Sequence, residues 1–143
     1  TRARVVMLGN LPDDEVPAVY RAANAFVAPA IGGESFGLVL LEAMASGLAI
    51  AGSDIPGYRE VARPGREALL VPPGDAGALA AAARQLLNDP SVAGRLAAAG
   101  RERVREFAWE GVCADVERAY HDVLGRPGAL PATEVVAVAG SRP

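Results

Sequence analysis

Two carboxylates, Glu34 and Glu42, flank the step Ser35-Phe36-Gly37 in the run Gly32-Gly33-Glu34-Ser35-Phe36-Gly37-Leu38-Val39-Leu40-Leu41-Glu42. From Leu38 to Ala45 the chain is apolar except for Glu42, which predicts a buried helix beginning at Gly37. A helix start offers unpaired N–H groups and the positive end of its macrodipole, and glycines at 32, 33 and 37 leave room for a close approach. A diphosphate fits that position. At a rise of about 1.5 Å per residue, Glu34 and Glu42 would then reach to either side of it. A carboxylate buried without a partner is costly, and no cation lies near Glu42 in the sequence, so a pair of ligand hydroxyls is the expected partner. The plainer alternative stays open, since a glycine loop before a buried helix is common in doubly wound folds.

The elements that must position this stretch alternate. Val5 to Leu8 is a short β-branched run predicting a strand, followed by a helix capped at Asp14 with Pro17 in its first turn. Strands are expected at Ala25 to Ala28 and Leu48 to Ala51, on either side of the helix from Gly37 to Ser46 that Gly47 caps. Ser53-Asp54-Ile55-Pro56-Gly57 reads as a loop into a short helix from Tyr58 to Ala62, and Pro64-Gly65 precedes a strand from Ala68 to Val71. Beyond Pro72-Pro73-Gly74 come three helices, Asp75 to Leu87, Ser91 to Arg105 and Trp109 to Leu124, with Asp75 and Ser91 as the expected caps of the first two. Residues 125–143 are expected to form a tail without fixed structure, with residues 1–124 as one domain. Continuously apolar strands alternating with helices predict an α/β fold, a Rossmann-like parallel sheet covered on both faces, with ligands at the strands' C-terminal edge.

Composition narrows the chemistry. The 143 residues, 51% of them apolar, suffice for one core, and the formal net charge of −3 with no basic block leaves no footprint for nucleic acid. All 14 strong cations are arginine, which excludes a Schiff-base lysine or a phosphate-loop lysine within these residues. One cysteine, Cys113, and one histidine, His121, give no disulfide, metal-ligand or triad spacing, so no metal is expected and a reducing, cytoplasmic setting is. No run approaches the length of a membrane-spanning helix. Because Thr1 leads almost at once into Val5, the chain is expected to be a fragment of a longer protein.

Glu34-Ser35-Phe36-Gly37 followed by Glu42-Ala43-Met44-Ala45-Ser46-Gly47 resembles the E-x7-E signature of retaining nucleotide-sugar glycosyltransferases with the two-lobed GT-B architecture, of the group 1 (family 4) type. The resemblance runs from about Val5 to Leu124 and takes in Gly9, Pro29, Pro56-Gly57 with Glu60, and Leu69-Leu70-Val71-Pro72-Pro73-Gly74-Asp75. It implies a partial C-terminal, donor-binding lobe that transfers a sugar with retention from a nucleotide-diphosphate sugar, the donor being a substrate, with no cofactor. Glu34 is then the catalytic residue, placed against the sugar to stabilise an oxocarbenium-like transition state rather than to act as nucleophile. Gly33, Glu34, Ser35, Phe36, Gly37 and Leu38 surround the donor's sugar and diphosphate, and Glu42 holds its ribose. Through Ala28-Pro29, the Gly32 to Gly37 stretch and Asp54-Ile55-Pro56-Gly57-Tyr58-Arg59, the subfamily most resembled is the phosphatidylinositol α-mannosyltransferases. That implies GDP-mannose, with Asp13 meeting the purine or else capping the helix beside Asp14. The acceptor, with a membrane lipid as a candidate, would be held by a further lobe whose histidine and Arg/Lys pair are not among these residues. The protein would then be cytoplasmic and peripheral at the inner membrane face. The alternatives are a non-catalytic nucleotide-sugar binding module and a nucleotide-sugar epimerase of the same fold.

Other residues are assigned to structure. His121 is expected to pack or face solvent, Cys113 to pack as a small helix residue, Phe107 and Trp109 to pin the last helix, and Glu60 to fix its neighbouring loop by a hydrogen bond or else to cap a helix or face solvent. Arg101, Arg103 and Arg105, interleaved with Glu102 and Glu106, are expected to form a solvated face.

Overall fold

The structure is a computed structural model and describes residues 4–124. Its sheet has three parallel strands in the order β1 (Phe26–Ala28), β2 (Ile50–Ser53), β3 (Ala68–Val71), with Ala28 opposite Gly52 and Ser53 opposite Val71. Helix α1 (Val16–Ala22) precedes β1, while α2 (Leu38–Ala45) and α3 (Pro56–Val61) connect the strands. After β3 come α4 (Ala76–Asn88), α5 (Pro90–Arg105) and α6 (Trp109–Leu124). The expected parallel α/β sheet is present. The contacts divide the chain into two compact units after Phe107, the sheet lying wholly in the first and α6 in the second.

Strand side chains alternate between two cores, as a pleat requires. Ile50, Ala68 and Leu70 join Leu40, Ala43 and Met44 of α2 and Tyr58 and Val61 of α3 on one face. Ala51, Leu69 and Val71 join Ala82 and Leu86 of α4 and Leu96 of α5 on the other. Both faces are covered, which explains why the strands read as continuous apolar runs.

Local chemistry sets the helix ends. The Asp75 side chain accepts from the Ala78 amide at 2.8 Å, capping α4, as expected. Helix α5 is capped by Asp89, which accepts from the Ser91 and Val92 amides at 3.0 and 3.1 Å, not by Ser91. Pro90 explains the shift, because a proline is pre-organised for the first helical position and leaves the cap to the residue before it. Likewise α1 begins after Glu15 with no side-chain cap, so Asp14 is not the cap. Gly47 ends α2 at φ +75° as expected.

Five further expectations need correction. Val5, Val6, Met7 and Leu8 form no strand and are 55% or more exposed; a strand exists only as part of a ladder, and none of the described residues pairs with them. Trp109 is 78% exposed and Cys113 is exposed rather than packed. Glu60 holds its surroundings by its backbone carbonyl, which accepts from Arg103, not by its carboxylate. Arg103 is itself no member of a solvated face: it donates to the Val61 carbonyl at 3.0 Å and lies 4.7 Å from the centre of the Phe107 ring. The expected tail at 125–143 lies outside the described residues. No helix among the described residues is long and apolar enough to cross a membrane.

Candidate functional site

Parallel pairing brings the loops after β1 and β2 to one edge of the sheet, where open α/β sheets bind ligands. The loop after β1 carries Gly33, Glu34, Ser35 and Phe36, and the loop after β2 turns at Ile55 into α3. The two are fitted closely. A Cβ at Gly57 would stand 2.2 Å from the Glu34 carbonyl oxygen, so only glycine allows the Glu34 backbone to rest on the first turn of α3. Gly37 has φ +84°, and a Cβ there would meet the Tyr58 ring at 2.8 Å. It closes the loop and opens α2 in a conformation few side chains adopt. The Phe36 ring meets Phe107 edge-on, with centroids 5.7 Å apart, bracing the loop from its other side.

At the start of α2 the amides of Gly37, Leu38 and Val39 find no acceptor among the described residues, while the Leu40 amide bonds to the Gly37 carbonyl at 2.9 Å. These unpaired donors and the helix dipole can hold an anion. Leu38 is 63% exposed beside them.

Glu42 departs from expectation in an instructive way. Leu40, Ala43 and Met44 are buried, but Leu38, Glu42 and Ala45 form an exposed stripe one helical turn apart, so the apolar run does not bury its carboxylate. Glu42 instead opens on a cleft of about 590 Å³ lined with Asp13, Tyr20, Arg21 and Ser46. The Tyr20 hydroxyl donates to Glu42 Oε2 at 2.9 Å. Burial first, and then the hydrogen bond and the charge of Glu42, push the Tyr20 phenol up to about 12. Asp13, with no helix to cap, lines the same cleft.

Glu34 lies on the other flank of α2. It is exposed and forms no ion pair among the described residues. Its charge is felt by Tyr58, whose phenol is raised by burial and then by the Glu34 carboxylate. Asp54 and Arg59 on the same edge satisfy each other, and the hydrogen bond from Arg59 holds the Asp54 carboxyl below its usual range. The expected residues therefore fall into an arc: Asp13 and Glu42 in the α1 cleft, Gly37 and Leu38 at the helix start, and Gly33, Glu34, Ser35 and Phe36 over α3. Tyr20 escaped the sequence reading because nothing in its spacing marks it. Gly57 had a signal, its place after a proline in a loop.

No group of three or more His, Cys, Asp or Glu that could hold a metal exists among the described residues. The parallel sheet covered by helices on both faces matches a Rossmann-like lobe of the GT-B class. Residues 1–103 match the model of the glycosyl transferases group 1 family, and the chain belongs to that family. It is 44% identical over 116 residues to a phosphatidyl-myo-inositol mannosyltransferase of Mycobacterium leprae, covering 81% of this chain and 31% of that protein. It is 35% identical over 113 residues to an O-antigen chain mannosyltransferase B of Escherichia coli, covering 79% and 29%. Among solved structures, a sucrose-phosphate synthase from Thermosynechococcus elongatus superposes with a TM-score of 0.78 at 38% identity, over 85% of this chain and 31% of its own. The Anabaena protein HepE, solved with UDP and glucose, shares the fold at a TM-score of 0.65 and 21% identity, over 78% of this chain and 29% of its own. The chain thus spans under a third of the length of these relatives.

Proposed function

We propose that this chain binds the donor of a glycosyltransferase that moves a sugar, with retention, from a nucleotide-diphosphate sugar to an acceptor held by residues beyond it. In this reading Glu42 accepts from the ribose hydroxyls and Asp13 from the base. The amides of Phe36, Gly37 and Leu38 hold the diphosphate, and Gly33 and Ser35 line the sugar's approach. Glu34 lies against the sugar, where a fixed carboxylate stabilises the positive charge that develops as the bond to the leaving diphosphate breaks. Arg59 is already paired with Asp54, so it is not the cation that neutralises the diphosphate in this reading. No metal or organic cofactor enters this reading.

The single observation that carries it is the pair of solvent-facing glutamates on the two flanks of the α2 N-terminus, neither held by a cation among the described residues. The mannosyltransferase names of the relatives support mannose as the sugar, and that of the Mycobacterium leprae relative supports a phosphatidylinositol lipid as the acceptor; GDP-mannose as the donor rests on the sequence resemblance alone. With a lipid acceptor, this reading extends to a cytoplasmic protein, peripheral at the inner membrane face. The test is to incubate the protein that carries this chain with GDP-mannose and phosphatidylinositol and to read the product's anomeric configuration by NMR. An α-mannoside is expected, with turnover lost in the Glu34→Ala variant. A β-product would contradict retention, and full turnover without Glu34 would contradict its role. A product formed without acceptor would point to an epimerase, and donor binding without any product to a non-catalytic module.

A further inference from the structure

Tyr20 is held on two sides. Its ring packs against Phe26, the first residue of β1, with centroids 5.5 Å apart and planes tilted by 41°. Its hydroxyl donates to Glu42 Oε2. Both side chains line the α1 cleft. We propose that Tyr20 is the positioning residue for Glu42, fixing one carboxylate oxygen so that the other is presented to the vicinal hydroxyls of the donor's ribose. This rests on the ribose reading of Glu42 given above.

An exposed glutamate has several rotatable bonds and loses rotamer freedom when a ligand orders it. A hydrogen bond from a ring already fixed against the sheet removes part of that cost before the ligand arrives. An ionised carboxylate has about four acceptor sites on its two oxygens. The Tyr20 hydroxyl occupies one of them, and no other donor reaches the Glu42 carboxylate among the described residues, so room remains for both hydroxyls of a diol. The chemistry of the donor also fits. An arginine here would be an ion-pair partner competing with the ligand, whereas a neutral phenol orients the carboxylate and leaves its charge for the ribose. With its phenol raised to about 12, Tyr20 remains a proton donor throughout the neutral range.

The Tyr20→Phe variant keeps the ring on Phe26 and removes only the hydroxyl. Calorimetric titrations of the whole protein that carries this chain would use GDP and 2′,3′-dideoxy-GDP, with the UDP pair alongside because the base is not fixed. The proteins compared are wild type, Tyr20→Phe, Glu42→Ala and the double variant. Wild type should prefer the ribose form, and Tyr20→Phe should lose about fivefold in affinity for that form while leaving the dideoxy form nearly unchanged. In the Glu42→Ala background the same change should cost nothing more. Equal loss for both nucleotides, additive loss in the double variant, or no loss at all would overturn the role of Tyr20. If wild type itself fails to distinguish ribose from dideoxyribose, the ribose reading falls and this inference falls with it. Clear discrimination by wild type together with an unaffected Tyr20→Phe removes this inference alone.

Discussion

The turn from Arg63 to Glu67 and the stretch from Gly33 to Glu42 both follow a break in regular structure, and both place glutamates beside a backbone bend. They treat those glutamates in opposite ways. Glu67 is 1% exposed, accepts from the Arg63 amide at 2.8 Å and from its guanidinium, and has Arg66 at 3.4 Å. Burial alone would raise its carboxyl, but the hydrogen bonds and charge of the arginines outweigh burial and hold it below its usual range. Glu34 and Glu42 face solvent, and Glu42 has only a neutral phenol as partner. A carboxylate saturated by cations serves the fold. One that is oriented but left uncompensated is available to a ligand.

Three substitutions would break or sharpen that contrast. The largest effect is expected from Glu34→Ala, which should lower transfer by about a thousandfold, the upper range for removing one electrostatic stabiliser of a transition state, with the melting temperature unchanged. Gly57→Ala should follow at about a hundredfold, because its Cβ would push against the Glu34 carbonyl and misplace the loop by a fraction of an ångström or more. Steady-state kinetics should show this loss chiefly in kcat, and a Gly57→Ala enzyme with wild-type kcat would refute the loop's dependence on α3. Glu67→Gln should leave transfer by the folded protein intact and cost about 2 kcal/mol of stability, the scale of hydrogen bonds to a charged group. The sign with pH follows from the depressed carboxyl: its contribution is full above the ordinary carboxylate range and is lost as pH falls through the lower, folded value. Urea unfolding should therefore show wild type and Glu67→Gln converging in acid, and a gap that widens in acid would contradict the pairing.

Legibility differed between the two regions for physical reasons. The Asp75 cap, the left-handed Gly47 and the span of α6 were readable, since each depends on nearby residues. The E-x7-E spacing marked the candidate site because it lies within one loop and one helix. The exposure of Glu42 was not readable: an apolar run cannot say which side of a helix lacks a neighbour, and here Leu38 and Ala45 share the open side. Nor was the absence of a strand at Val5 to Leu8, because pairing depends on what lies alongside. Arg63 and Glu67 stand four apart around Pro64-Gly65, a spacing that could have flagged the pair. The contact between Tyr20 and Glu42 spans 22 positions and left no local trace.

The central claim is that Glu42 is kept for a ligand while Glu67 is spent on the fold. Calorimetric titration of GDP into wild type, Glu42→Ala and Glu67→Gln of the protein that carries this chain tests it most directly. Glu42→Ala should raise Kd by about 10- to 100-fold, the worth of hydrogen bonds from a diol to a charged acceptor, with an unchanged melting temperature. Glu67→Gln should lower the melting temperature and leave Kd as it was. An unchanged Kd in a folded Glu42→Ala variant would contradict the account.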